Sequence, residues 1–280
     1  MLALLEILTR TADYFAEKKV PQPRAQAEWI LAEALGCRRL DLFLRFDQPM
    51  EEPVLAKLRP LVRRRAAREP LQYVLGSAPF LDLKLKCDRR ALVPRPETEE
   101  LVAGVVERAR PAPAKALDLG TGTGAIALSL ANAWPEAAVE GLDASAEALA
   151  LAGENAAANK LEGRVSFAPS DWFAAAGESY GVIVSNPPYL TRAEWESAEP
   201  EVRDWEPYGA LVADDGGFAD LEKIVRGAFD RLLSGGLLAL ETGIAHHDRL
   251  ASLAGDLGYT GIECVKDLSK RPRFFYARRP

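Results

Sequence analysis

Leu4, Leu5, Leu8, Ala12 and Phe15 recur at helical spacing, and Pro21-Gln22-Pro23 stops the run. Ala27, Ile30, Leu31, Ala34 and Leu35 repeat the pattern up to Gly36, a residue suited to closing a helix. Leu40, Leu42, Phe43 and Phe46 predict a shorter piece. Leu55, Leu58, Leu61 and Val62, following Pro53, predict a fourth helix. Residues 1–75 therefore read as a small all-helical bundle. Arg63-Arg64-Arg65 with Arg68 is its one charge run, read as a solvated helix face, with contact to a partner as the other option.

From Gly76 the period drops to two. Phe80, Leu81, Leu83 and Leu85 interleave with Asp82, Lys84 and Lys86, and Ala91-Leu92-Val93 follows a turn at Asp88-Arg89-Arg90. A β-hairpin linker over 76–94 is expected. Pro94 to Glu100 then opens a helix, with Thr98 as its N-cap and the neighbouring acids matched to the helix dipole.

Over 95–280 strands and helices alternate. Ala116–Leu119, Ala138–Asp143, Val165–Phe167, Val182–Ser185 and Leu237–Glu241 read as strands separated by helices. Such alternation implies an α/β domain with a mostly parallel, doubly wound sheet. Ile262–Val265 and Phe274–Ala277 have no helix-sized gap between them, so the last strand runs antiparallel.

Composition narrows the setting. An apolar content of 48% with 27% charged residues is that of a globular protein, and the net charge of −6 supplies no global field for nucleic acid. The amino terminus lacks a basic n-region, and no apolar run reaches the length needed to span a bilayer. Cys37, Cys87 and Cys264 show no C-x-x-C pairing and read as reduced thiols, so a cytoplasmic location is expected. No metal site is expected, and His246 and His247 read as surface or capping residues.

The chemistry gathers at strand ends. Gly120-Thr121-Gly122-Thr123-Gly124 joins a strand to a helix, and Asp143 ends the next strand 19 positions after Gly124. Glycines let the backbone approach a ligand, and a second-strand carboxylate suits ribose hydroxyls. Asp118, just ahead of the loop, would repel a pyrophosphate but suit an ammonium, which favours S-adenosylmethionine over a dinucleotide. Asp171-Trp172 offers an acceptor and a flat surface for adenine.

Ser185-Asn186-Pro187-Pro188-Tyr189 follows an apolar strand. Its prolines lack N–H groups and forbid simple continuation of the strand. Free carbonyls beside an amide and an aromatic suit a planar NH₂ group, although an isolated N-P-P-x is also an ordinary strand-ending turn. Leu190–Asp215 is long for a connection and holds eight acids against Arg192 and Arg203, which disfavours a phosphate backbone.

Taken together, Glu69-Pro70-Leu71-Gln72-Tyr73, Val93-Pro94-Arg95-Pro96-Glu97-Thr98-Glu99, Asp118 to Gly124, Ser170-Asp171-Trp172-Phe173 and Asn186-Pro187-Pro188-Tyr189 resemble the peptide chain release factor N5-glutamine methyltransferases, the HemK/PrmC family. The resemblance implies a Rossmann-like class I methyltransferase domain with a seven-stranded sheet, preceded by a helical substrate-recognition domain. It implies S-adenosylmethionine held by Asp118, Gly120, Thr121, Gly122, Thr123, Gly124, Asp143, Asp171, Trp172 and Asn186. It also implies that Asn186, Pro187, Pro188 and Tyr189 hold the substrate glutamine. The Asn186 oxygen and Pro187 carbonyl would accept its N–H groups, and Tyr189 would pack on its amide plane. A release factor is the expected partner, met by a monomer without nucleic acid or membrane. Two alternatives share these motifs: an adenine-N6 DNA or guanine-N2 RNA methyltransferase, and a non-catalytic cofactor-binding module.

Overall fold

The computed structural model describes residues 2–280 and divides into two units. One comprises the chain up to Gly76 together with Glu199–Trp205; the other comprises Ser77–Ala198 and Glu206–Pro280.

The first unit contains α1 (Leu4–Glu17), α2 (Pro23–Leu35), a 3₁₀ turn (Arg39–Leu44), α3 (Glu52–Ala66) and the short α4 (Leu71–Leu75). Pro23 sits in the first turn of α2, where a missing N–H costs nothing, and Gly36 closes the helix at φ +63°. Leu4, Leu8, Phe15, Ile30, Leu31 and Leu58 build its core, each buried aliphatic chain contributing about 1.5–3 kcal/mol.

The arginine run expected on a solvated face is largely drawn inward. Arg65 is only 1% exposed and donates to the Gln26 side chain, to the Glu69 carbonyl at 2.9 Å and to the Glu201 carboxylate. Arg64 grips Glu69 at 2.6 and 2.9 Å, and Arg68 pairs with Glu199 at 2.8 Å and with Glu201 at 2.7 Å. A buried guanidinium needs its charge and donors matched. That requirement explains why Glu199–Trp205 belongs to this unit, although chain order alone placed it within the 95–280 domain.

In the second unit, β1 (Ser77–Phe80) and β2 (Leu83–Lys86) pair antiparallel about a turn at Leu81-Asp82. The expected return strand at Ala91–Val93 is not one, because Leu83 and Leu85 already complete the apolar face with Phe80. Asn155 and Asn159 hydrogen-bond the backbone of Lys86 and Lys84. The 76–94 stretch is thus packed into this unit as structure, where a linker was expected. Next, α5 (Pro96–Arg108) starts with a proline in its first turn and with Glu97 and Glu99 facing its dipole. Thr98 is not its cap, for the N-cap is Arg95 and Thr98 lies buried inside the helix.

The sheet contains β3 (Lys115–Leu119), β4 (Ala138–Asp143), β5 (Val165–Pro169), β6 (Tyr180–Ser185), β7 (Leu232–Glu241), β8 (Thr260–Lys266) and β9 (Pro272–Arg278). The spatial order is β5-β4-β3-β6-β7-β9-β8. Only β9 is antiparallel, inserted between β7 and β8. One face is covered by α5, α6 (Ala125–Ala133) and α7 (Ala146–Ala158), the other by the helices Ala219–Arg231 and His247–Leu257. Burial on both faces is why Val182-Ile183-Val184 and Leu237–Leu240 read as unbroken apolar runs. Leu190 leads into α8 (Arg192–Ser197), whose start is closed by reciprocal bonds between Thr191 and Glu194.

The chain leaves β3 for β4 on one side, while β6 lies on the other. Connections diverging in this way open a crevice beyond the strands' carboxyl ends, where open α/β sheets bind ligands. Ser185 Oγ donates to the Leu119 carbonyl at 2.7 Å and locks β6 to β3 at that end.

Candidate active site

The glycine loop turns from β3 into α6. Gly120 and Thr121 donate their N–H groups to the Leu142 carbonyl at 2.8 and 3.0 Å. Gly122, at φ +55°, aims its N–H at Asp143 Oδ2, 2.8 Å away, a backbone geometry that a side chain would strain. Ser145 N–H takes the other Asp143 oxygen at 2.8 Å. Each carboxylate oxygen keeps a lone pair for a ligand hydroxyl. Asn155, fully buried, donates to the Thr123 carbonyl at 2.9 Å and ties the loop to the hairpin.

Asp118 does not face a ligand as expected. It lies fully buried beneath the loop, outside the cavity wall, accepting from Thr121 Oγ1 at 2.6 Å and Ala127 N–H at 3.1 Å. Its Oδ1 has no hydrogen-bond partner among the described residues. Burial pushes this carboxyl up to about 7; its two hydrogen bonds pull the other way, and the charge of Asp143 adds to the rise. The folded protein therefore retains a proton that the unfolded chain releases near pH 4. The stability tied to this proton is complete below that pH and is lost as pH rises through 7. Asp118→Asn removes the effect. Thermal unfolding from about pH 5 to about pH 8 should show wild-type protein losing on the order of a few kcal/mol relative to the variant. A wild-type-to-variant difference that stays flat over this range would refute the assignment.

A cavity of about 590 Å³ occupies the crevice, a volume typical of small-molecule sites. Gly120, Thr121, Gly122, Thr123, Asp143, Asp171, Trp172, Asn186 and Pro188 line it; Gly124, Pro187 and Tyr189 do not. Trp172 takes a left-handed φ of +48°, its carbonyl held by Ser170 Oγ at 2.8 Å. The cations in the wall are each matched. Arg90 bonds Asp88 and Glu154, Arg95 bonds Glu206, and Lys223 bonds Asp220. With its cations paired and the Asp143 carboxylate in its wall, the cavity is poorly suited to a pyrophosphate and well suited to a cationic nucleoside.

At the far wall, Asn186 Nδ2 donates to Thr98 Oγ1 at 3.1 Å, and Thr98 Oγ1 donates to Glu241 Oε2 at 2.7 Å. The Tyr189 hydroxyl donates to Glu241 Oε1 at 3.0 Å and accepts from Arg273 at 3.2 Å. The Tyr189 hydroxyl is thus engaged behind the corner, while the residue stays partly exposed. Burial pushes the Glu241 carboxyl above its usual range, against the hydrogen bonds from Thr98 and Tyr189 and the nearby Arg273 charge. Burial and the neighbouring Glu241 likewise push the Tyr189 phenol up.

Sequence reading missed Thr98, Glu241, Asn155 and Glu206. Glu241 carried a usable signal as an acid ending a strand; Thr98 was hidden by its plausibility as a cap. Of the two readings of His246, surface or capping, the second holds by position, since it is the N-cap residue of the helix His247–Leu257. It is buried, with Nδ1 accepting from Gly243 N–H and Nε2 lying 3.2 Å from the Gly216 carbonyl, and burial lowers the pKa of His247. The acids of 190–215 form no bare wall either, since Glu196, Asp204, Glu206 and Asp215 pair with Arg192, Arg203, Arg95 and Arg249. The electrostatic case against a phosphate backbone loses most of its force.

A strand order with one antiparallel insertion, and a glycine loop at its switch point, define a Rossmann-like methyltransferase. Residues 98–199 match the Methyltransferase small domain, and residues 6–76 match the PrmC N-terminal domain. The chain belongs to the release factor glutamine methyltransferase family. The Geobacter sulfurreducens member is 39% identical over 94% of this chain and 92% of its own. The Deinococcus radiodurans member is 38% identical over 99% of each. Among solved structures, a Pyrococcus furiosus methyltransferase superposes with a TM-score of 0.55 at 19% identity, over 80% of this chain and 98% of its own. The Thermus thermophilus 16S rRNA N2 G1207 methyltransferase, in complex with AdoMet and guanosine, gives 0.53 at 21% identity over 73% and 50%. Both likenesses are of fold.

Proposed function

We propose that the protein transfers a methyl group from S-adenosylmethionine to the side-chain amide nitrogen of a glutamine in a peptide chain release factor. The observation that carries this reading is the near full-length relationship to release factor glutamine methyltransferases, which spans the helical part as well as the methyltransferase part.

When bound, S-adenosylmethionine supplies a methyl made electron-poor by its sulfonium. Asp143 would hold the ribose hydroxyls, Gly120 to Thr123 the backbone-lined end, and Asp171 with Trp172 the adenine. Asp118 holds the loop from beneath through Thr121 and the Ala127 N–H. On the substrate side, the Asn186 oxygen and the Pro187 carbonyl accept the two N–H groups of the glutamine amide. An amide nitrogen is a weak nucleophile because its lone pair is shared with the carbonyl. As the nitrogen gains the methyl and a positive charge, both hydrogen bonds strengthen. The nitrogen then releases one proton to solvent, so no strong base is required. Holding the reactants aligned is worth about 7–11 kcal/mol in well-oriented systems. Tyr189 supports this corner through Glu241.

The helical unit serves release-factor recognition, and the enzyme acts as a cytoplasmic monomer on protein, not nucleic acid. Co-expression with a release factor, followed by peptide mass spectrometry, tests the reading. One glutamine should gain the mass of a methylene group. Transfer of labelled methyl groups to nucleic acid, with none to the release factor, would replace it.

A further inference from the structure

Asn186 can serve its role only with its carboxamide in one of two orientations, and its own backbone does not choose between them. The choice is made 88 residues earlier in the chain, on α5. Thr98 is 4% exposed, and its hydroxyl has one proton to give. That proton goes to Glu241 Oε2 at 2.7 Å, so the face of Thr98 Oγ1 turned toward Asn186 carries only lone pairs. Asn186 answers with Nδ2 at 3.1 Å. Turning the carboxamide over would set its oxygen against a second acceptor. Glu241 is itself held as an acceptor, because Tyr189 donates to its other oxygen at 3.0 Å.

We propose that Thr98, poled by Glu241, is a positioning residue that fixes the Asn186 carboxamide with its nitrogen inward and its oxygen free for the substrate. The inference rests on the glutamine-methylating reading and adds to it the source of Asn186's orientation. The signal runs one way: Tyr189 and Thr98 donate to Glu241, Asn186 donates to Thr98, and only an acceptor remains for the glutamine N–H.

The test measures kcat and KM with full-length release factor for Thr98→Val and Thr98→Ser, each alone and in an Asn186→Ala background. Thr98→Val keeps the shape and removes the hydroxyl. Its kcat should fall about tenfold or more, the equivalent of ~1.4 kcal/mol, with KM for the cofactor unchanged. Thr98→Ser should recover most of the turnover. In the Asn186→Ala background, Thr98→Val should cost less than about twofold further, since coupled residues are not additive. Circular dichroism and cofactor titration report folding, and Thr98→Ala is read in the same way should the valine variant misfold. Wild-type turnover in Thr98→Val, a full additive loss in the Asn186→Ala background, or a serine variant as poor as valine would each overturn the inference. Absence of release-factor methylation by the unsubstituted enzyme would sink the parent reading as well, and so is told apart from these outcomes.

Discussion

Asn186→Ala is expected to lower turnover by about a hundredfold or more, the loss seen when one preorganised partner of a developing charge is removed. Cofactor affinity should change little. Asn186 is one residue among many in the cavity wall, whereas Asp143 and the glycine loop are held by bonds that do not involve it. Isothermal titration with cofactor beside steady-state kinetics separates the two quantities, and parallel losses would remove Asn186 from its substrate role. Asn186→Asp is the finer probe. It keeps an acceptor but cannot donate to Thr98, so Thr98 must either face a carboxylate with lone pairs or desert Glu241. Turnover should fall here too, although the side chain keeps nearly its original size.

The second large effect is structural. Gly217 has φ +83°, and a Cβ there would fall deep inside the van der Waals radius of the Tyr189 carbonyl oxygen, 2.9 Å from the Tyr189 carbonyl carbon and 3.2 Å from His246 Cε1. The two nearest obstructing atoms are Tyr189 backbone, so they cannot rotate away. Left-handed strain of about 1–2 kcal/mol adds to an overpacking cost of about 1–3 kcal/mol. Gly217→Ala should therefore destabilise the protein by roughly 2–5 kcal/mol in urea unfolding. The fraction that remains folded should have impaired turnover, because the Asn186–Tyr189 backbone is displaced. Gly153→Ala is the control. It lies within α7 with no atom close to the added methyl, and should be neutral or stabilising by up to about 1 kcal/mol. Equal behaviour of the two variants would refute the packing argument.

The residues that sequence located well share one property: local covalent geometry dictates their position. The glycine loop must bend where its glycines stand, Asp143 must end β4, and Asn186 must leave β6 where two prolines forbid its continuation. Strands buried on both faces announce themselves as apolar runs, so the doubly wound sheet was legible too. Misreadings occurred where two adequate local explanations competed. Thr98 satisfied the pattern of a cap and the arginine run that of a solvated face, and in both cases a distant partner decided otherwise.

The sequence by itself determined the class of fold and the places where the chain must bend, at the glycine loop and at the prolines after β6, because these follow from periodicity and from the φ preferences of glycine and proline. Only the tertiary structure decided the depth of Asp118, the embrace of Arg65 by Glu201 and the chain of bonds from Glu241 through Thr98 to Asn186. Hydrogen bonds between side chains as far apart as 143 positions leave no trace in local spacing, since they depend on which strand ends the sheet brings together.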